Sequence, residues 1–343
     1  MIFTNLNIQE RMEHYKVNGL SISWIENGQL QGVKNYGILE GKKDRKVKDT
    51  SIFSACSISK FITSMTALKL IDEGLLDLDQ NVNDRLVSWK VPDNKFINSH
   101  KVTLRDLLSH HSGIQDPEGS FSELAAEIGI PSMVELLKGK TTYCKDPIEL
   151  KSKPGSEFHY SDAGFCVIQQ LIEDVTKKPF EQVVKELLLE PLGMKDSLFL
   201  TNLRNIDHEE FSCGHDYKGD VVDERYPIYP YPAASGLWTT STDLAVLVIE
   251  LIDALKGKSK IGISESLARE MITPQKGKSW AGLGVFLDSK EGEVEITSMG
   301  WGIGFQSMLA VYPGLEKGVV IMTNAELGVH QMKGIIGEIY NSI

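Results

Sequence analysis

The chain lacks long apolar runs. Nowhere in its 343 residues does a stretch approach the roughly 18–20 consecutive apolar residues that cross a bilayer, so no membrane partner is expected. Basic residues are in deficit, with 36 Lys and Arg against 47 Asp and Glu and a formal charge of −11. A nucleic-acid partner, whose phosphates need a basic footprint, is therefore not expected. The first ten residues carry no basic segment followed by an apolar one, which argues against a signal peptide. The expectation is a cytoplasmic protein, exported only if a leader has been removed. Cysteines are few. Cys56, Cys144, Cys166 and Cys213 show no close pairing, and the apolar surroundings of Cys56 and Cys166 mark them as small buried groups. His110 and His111 are adjacent with no histidine four residues on, so no chelating pair, metal or other cofactor is expected. There is no internal repeat and no low-complexity segment. Composition leaves the oligomeric state open.

What is present is a soluble-protein composition, 41% hydrophobic, in a chain long enough for two lobes. Ile8 to Tyr15 has a helical apolar pattern. Leu20, Ile22 and Trp24 then alternate with Ser21, Ser23 and Ile25 before the turn Asn27-Gly28, predicting a hairpin in a sheet covered on both faces. Thr103 followed by Asp106 reads as a capped helix start. Helices are expected over Phe165 to Thr176 and Pro179 to Leu189. The last third reverts to strands: Ala281 to Phe286, Val294 to Met299, Phe305 to Tyr312 and Val319 to Thr323. Leu327 to Ile343 reads as a closing helix. Strands at both ends with helices between imply a sheet lobe built from both ends of the chain, with a helical lobe inserted. The predicted division is 1–70 with 233–343 as the discontinuous sheet domain and 71–232 as the mainly helical one. A ligand site is expected at their seam.

One helix carries chemistry. Cys56 to Asp72 reads as a continuous helix containing Ser57-Ile-Ser-Lys60. Residues three apart share a helical face, so the Ser57 hydroxyl and the Lys60 ammonium sit side by side. Ser57 falls in the first turn, where unpaired N–H groups favour developing negative charge. A hydroxyl, a nitrogen base and a helix start suit acyl transfer. A serine at this place also serves as a simple cap. Two further stretches stand out: Tyr160-Ser161-Asp162, after the turn Pro154-Gly155, and Ser298-Met299-Gly300-Trp301-Gly302, at the end of a strand. The tyrosine reads equally as core, and the glycines as a bulge or tight bend.

Taken in order and spacing, these stretches resemble the penicillin-recognising serine hydrolases. The similar branch holds class C beta-lactamases, D-alanyl-D-alanine carboxypeptidases, D-aminopeptidases and beta-lactamase-like esterases. Ser57-Ile-Ser-Lys60 matches the first motif of that family, and Tyr160-Ser161-Asp162 stands in the place of its Tyr-x-Asn. Leu104 to Gly113 and Ala234 to Leu244 resemble two further signatures. Gly300-Trp-Gly-Ile-Gly-Phe305, with Met308 to Val311 and Gly318 to Asn324, resembles the third-motif strand and its partner. The resemblance runs from about residue 5 to 340. It implies an α/β fold with an all-α insert: a beta-lactamase-like antiparallel sheet flanked by terminal helices, plus a helical lobe.

The same resemblance implies a Ser57 acyl-enzyme with Lys60 and Tyr160 moving the proton and Tyr160 delivering it to the leaving group. The oxyanion would fall between the backbone N–H groups of Ser57 and Trp301, with Asp162, Ser298, Met299 and Gly300 touching substrate. The expected partner is a small-molecule ester, amide or beta-lactam. Two residues depart from the pattern. Asp162 stands where Asn is usual, and an ionised carboxylate beside Lys60 favours its ammonium form. The alternative is that Asp162 turns away and meets a cationic substrate group. Ser298 stands where the family carries Lys or His, so a substrate carboxylate loses its positive partner. That favours an esterase or small-peptide amidase over a class C-like beta-lactamase or D-alanyl-D-alanine carboxypeptidase. A catalytically weak binding or scaffold protein that kept the fold is the opposing reading. Tyrosines between Asp216 and Tyr231 are candidates for the acyl-pocket wall, or for a stiff solvated loop.

Overall fold

A computed structural model of the chain describes residues 6–41, 43–96, 100–124, 129–202, 206, 209–290 and 292–343. The first helix, Ile8–Tyr15, starts where the Asn7 side chain accepts from Glu10 N, and ends on Lys16 in the left-handed region. Strands β1 (Gly19–Glu26) and β2 (Gln29–Gly37) follow as the predicted hairpin. Asn27 and Gly28, with φ of 53° and 68°, supply the two left-handed residues that a tight hairpin turn needs. Short strands β3 (Phe53–Ser54), β4 (Leu198–Phe199) and β5 (Leu237–Thr239) make a separate three-stranded sheet in the order β3-β5-β4. Then come β6 (Phe286–Lys290), β7 (Glu293–Gly302), β8 (Phe305–Tyr312) and β9 (Lys317–Thr323). The main sheet is antiparallel in the order β2-β1-β9-β8-β7-β6, so β1 and β9 join the two ends of the chain.

Both faces of this sheet are covered, which accounts for the imperfect alternation of β1. Leu20 and Ile22 pack with Met308, Ile321 and the terminal helices Ile8–Tyr15 and Ile335–Asn341. Ser21 and Ser23 face the other way, each 2.7 Å from the Ser241 hydroxyl at the start of the helix Ser241–Leu255. Between the strands lie mainly helices, including Ser59–Asp72, Leu104–Leu108 and Asp162–Thr176. Thr103 and Asp106 form the expected capping box. The Ser59–Asp72 helix is buried nearly all round despite its polar residues. Thr63, Ser64 and Thr66 make this tolerable by donating to the carbonyls four residues back at 2.8–2.9 Å.

Four expected elements differ. The Ser57 helix opens as a tight 3₁₀ turn, Cys56–Ile58, before the α-helix starts at Ser59. The Ala281 to Phe286 stretch is not a strand, because Gly284 adopts φ 72° against the Ser59–Asp72 helix, where a Cβ would meet Ser64 Oγ at 1.9 Å. The strand β6 begins only at Phe286. The Pro179 to Leu189 helix is α-helical over Phe180–Val184 and widens into a π turn at Lys185–Leu189. Pro191 follows, whose ring and missing N–H disturb regular bonding to residue 187. At the end of the chain, extended backbone at Gly334 separates a 3₁₀ turn, Gln331–Lys333, from the helix Ile335–Asn341. Among the described residues, no helix is long and apolar enough to cross a membrane.

Candidate active site

The nucleophile candidate sits on a forced corner. After β3, Cys56 takes φ 48°, a left-handed conformation uncommon for a residue with a Cβ. The Cys56 thiol is buried and its pKa is pushed up to about 12 by burial, so it packs behind Ser57 as an inert group. Strand β7 presses against this corner. A Cβ on Gly300 would meet the Ala55 carbonyl oxygen at 2.1 Å, and one on Gly302 would meet Cys56 Sγ at 2.8 Å. Ser307 on β8 donates to the same Ala55 carbonyl at 3.2 Å.

Lys60 lies one turn along and is 2% exposed. Its Nζ donates to Ser57 Oγ at 3.1 Å, to the Ala234 carbonyl at 3.0 Å and to Asp162 Oδ1 at 2.5 Å. Burial pushes the Lys60 pKa down, but the Asp162 carboxylate and the Tyr160 side chain outweigh it, and the net shift is upward. Lys60 is therefore an ammonium at neutral pH. Asp162 faces Lys60 rather than turning away, which decides between the two orientations open in the sequence.

The start of the Asp162–Thr176 helix holds the rest in place. Ser161 Oγ accepts from Gly164 N, and the Asp116 carboxylate accepts from Ser161 Oγ and from Asp162 and Ala163 N at 2.8–3.0 Å. Burial and the neighbouring Asp162 raise the Asp116 pKa. Tyr160 is stacked on His110, with ring centroids 4.5 Å apart at 28°, and the Lys60 Nζ lies 4.8 Å from the tyrosine centroid. His110 Nδ1 accepts from Ser161 N at 3.2 Å, which leaves the proton on Nε2. Burial and the nearby Lys60 and His111 hold His110 well below the usual histidine range, so it is neutral.

Ser57, Lys60, Tyr160, Ser298 and Met299 line one narrow cleft, together with His110, Phe158 and Phe286. Asp162, Gly300 and Trp301 lie outside its lining. Asp162 meets the cleft through Lys60, Gly300 packs on Ala55, and the Trp301 indole donates to Glu326 at 3.1 Å. Pairing of β6 with β7 stops at Thr297, so Ser298 to Gly302 have only β8 as a neighbouring strand. The loop tyrosines divide: Tyr229 and Tyr231 are buried, and Tyr217 is exposed. Tyr229 Oη accepts from Ile303 N at 2.9 Å and braces the turn after Gly302. Sequence reasoning assigned no role to His110, Asp116, Phe158, Phe286 or Glu326. His110 lay inside the Leu104 to Gly113 signature, Phe158 stood two residues before Tyr160 and Phe286 closed the expected strand from Ala281, while Asp116 and Glu326 carried no local signal.

The Beta-lactamase family matches residues 5–335. The chain belongs to the beta-lactamase family. Its antiparallel sheet with flanking helices is the fold expected of a member. Protein flp of Staphylococcus aureus (strain MRSA252) is 25% identical over 321 residues, 92% of this chain and 61% of that protein. The chain thus spans about three fifths of the length of the curated relatives it matches. The octameric penicillin-binding protein homologue from Pyrococcus abyssi superposes with a TM-score of 0.76 at 24% identity, covering 97% of this chain and 75% of that one. The D-amino acid amidase from Ochrobactrum anthropi SV3 superposes with a TM-score of 0.78 at 18% identity, over 100% and 98% of the two chains. These likenesses extend the beta-lactamase-like fold across the whole chain.

Proposed function

We propose that this beta-lactamase family member is a serine hydrolase that cleaves an ester or small amide through an acyl-enzyme on Ser57. The observation that carries the reading is the 3.1 Å contact between Ser57 Oγ and the buried Lys60 Nζ, in a cleft that also contains Tyr160. Ser57 Oγ attacks the substrate carbonyl and forms the C–O bond. Its proton passes to Tyr160, because Lys60, paired with Asp162, has no lone pair to offer. The Lys60 ammonium lies 4.8 Å from the ring centroid, next to the group that passes the proton on. Tyr160 then hands the proton to the leaving oxygen or nitrogen as that bond breaks. Water then attacks the acyl carbonyl, its proton passes through Tyr160 to Ser57 Oγ as the acyl C–Oγ bond breaks, and the acid leaves with Ser57 restored. The Ser57 and Trp301 N–H groups hold the oxyanion, and each such donor is worth about 3 kcal/mol in the transition state. Ser298, Met299 and Gly300 contact the substrate in this reading. The close seating of Gly300 on Ala55 supports the Trp301 assignment, because it brings the β7 backbone to the nucleophile corner.

Hydrolysis of para-nitrophenyl acetate tests the reading. A burst of nitrophenol stoichiometric with enzyme, absent in Ser57→Ala, is expected; turnover that survives Ser57→Ala overturns it. The second reading, a catalytically weak binding protein, is favoured by the Lys60–Asp162 pair, which removes the nearest nitrogen base. Acylation without measurable deacylation would support it.

A further inference from the structure

One wall of the cleft is built of aromatic rings. Phe158 and Phe286 line it directly. Trp280 backs both, with its ring 4.4 Å from Phe158 and 6.4 Å from Phe286. The Tyr160 ring lies parallel to Phe286, with centroids 6.3 Å apart at 20°. The group that protonates a leaving group must touch it, so whatever departs from the acyl carbon held on Ser57 leaves beside Tyr160 and its parallel neighbour Phe286. Among the described residues lining the cleft, Lys60 is the single cation, and Asp162 already takes its charge. Ser298 and Met299, which complete this side, offer a hydroxyl and a thioether. Among the described residues lining the cleft no cation is left to pair with a carboxylate, and Phe158, Tyr160 and Phe286 supply aromatic surface for a planar group.

We propose that this wall is a leaving-group subsite for a flat, uncharged aryl alcohol or aryl amine, with Phe286 as its main specificity-determining residue. The subsite rests on the Ser57 hydrolase reading and adds the chemical class of the departing group. Phe158 and Phe286 contact the ring, and Trp280 holds both in position. A leaving group that carries a carboxylate is disfavoured, because its charge would be desolvated against rings with no cation to meet it.

Three acetate esters test this: phenyl, 3-carboxyphenyl and hexafluoroisopropyl. Wild type should show a kcat/KM for phenyl acetate at least about tenfold above that for 3-carboxyphenyl acetate. Phe286→Ala should lose about 3- to 10-fold more on phenyl acetate than on hexafluoroisopropyl acetate, the range expected for one aromatic contact. Phe286→Leu, which keeps apolar bulk and loses the ring, gives the same readout if the alanine variant fails to fold. Parity between phenyl and 3-carboxyphenyl acetate, or equal losses on the two uncharged esters, overturns the proposal. Failure of the hydrolase reading has a different signature, turnover of all three esters by Ser57→Ala. In that case saturation-transfer NMR on Ser57→Ala reads the subsite without catalysis. Stronger transfer to phenol than to 3-hydroxybenzoate, weakened by Phe286→Leu, supports it, and equal transfer to the two overturns it.

Discussion

Asp162 Oδ1 lies 2.5 Å from Lys60 Nζ, on a lysine that also donates to the Ser57 hydroxyl at 3.1 Å. The nitrogen nearest the nucleophile is thus engaged by a carboxylate and two oxygen acceptors, an environment that suits an ammonium and not a free amine. Proton transfer then falls to Tyr160, whose ring stacks on His110 and lies beside the Lys60 charge. Asp116 keeps Asp162 in place by accepting from the first N–H groups of its helix. One residue that departs from the family pattern therefore redistributes the roles of its neighbours.

Asp162→Asn is predicted to move the alkaline-rising limb of the pH–rate profile for ester hydrolysis to lower pH. The carboxylate lifts the Lys60 pKa, while burial alone depresses it, so removing the anion lets the proton leave sooner. A shift of about one pH unit, equivalent to ~1.4 kcal/mol, is expected. The apparent pKa belongs to the cluster rather than to Lys60 alone. An unchanged profile would contradict the assignment of Asp162 as the group that keeps Lys60 charged.

Gly300→Ala is predicted to damage both stability and activity. Its Cβ would sit 2.1 Å from the Ala55 carbonyl oxygen, a backbone atom that cannot swing aside. Relief requires β7 to move off the nucleophile corner, at a cost of about 1–3 kcal/mol. Thermal denaturation and kcat/KM should both fall. A variant with wild-type kcat/KM would show that the spacing between β7 and Ser57 does not matter for turnover.

Much of this arrangement was legible in the sequence, for identifiable reasons. Ser57 and Lys60 are neighbours by helical spacing, and that relation survives the change from α to 3₁₀ at Cys56–Ile58 because the two residues remain three apart. The hairpin at Asn27-Gly28 and strands β8 and β9 were readable from alternation and turn residues. The direction of Asp162 was not, since a side chain in the first turn of a helix points wherever tertiary packing sends it, here toward Lys60 on another helix. Phe286 was placed at the end of a strand and proves to begin one, because the fit of Gly284 against Ser64 is a long-range contact. His110 was visible only as part of a signature. Its φ of 60°, which turns the ring under Tyr160, has no local marker.

Ser298→Lys is predicted to raise kcat/KM for nitrocefin relative to para-nitrophenyl acetate by about tenfold, or ~1.4 kcal/mol. Ser298 lines the cleft at 5% exposure, so a cation placed there meets a carboxylate in partly desolvated surroundings. An unchanged ratio would mean that missing charge at 298 does not limit carboxylate-bearing substrates.

If Ser57 is the nucleophile, a fluorophosphonate captures it covalently. Wild-type protein and Ser57→Ala are treated with a fluorophosphonate, and intact mass is measured. One adduct per wild-type chain, mapped to Ser57 and absent from Ser57→Ala, is the predicted result. Equal labelling of the two proteins, or labelling of neither, would contradict the account.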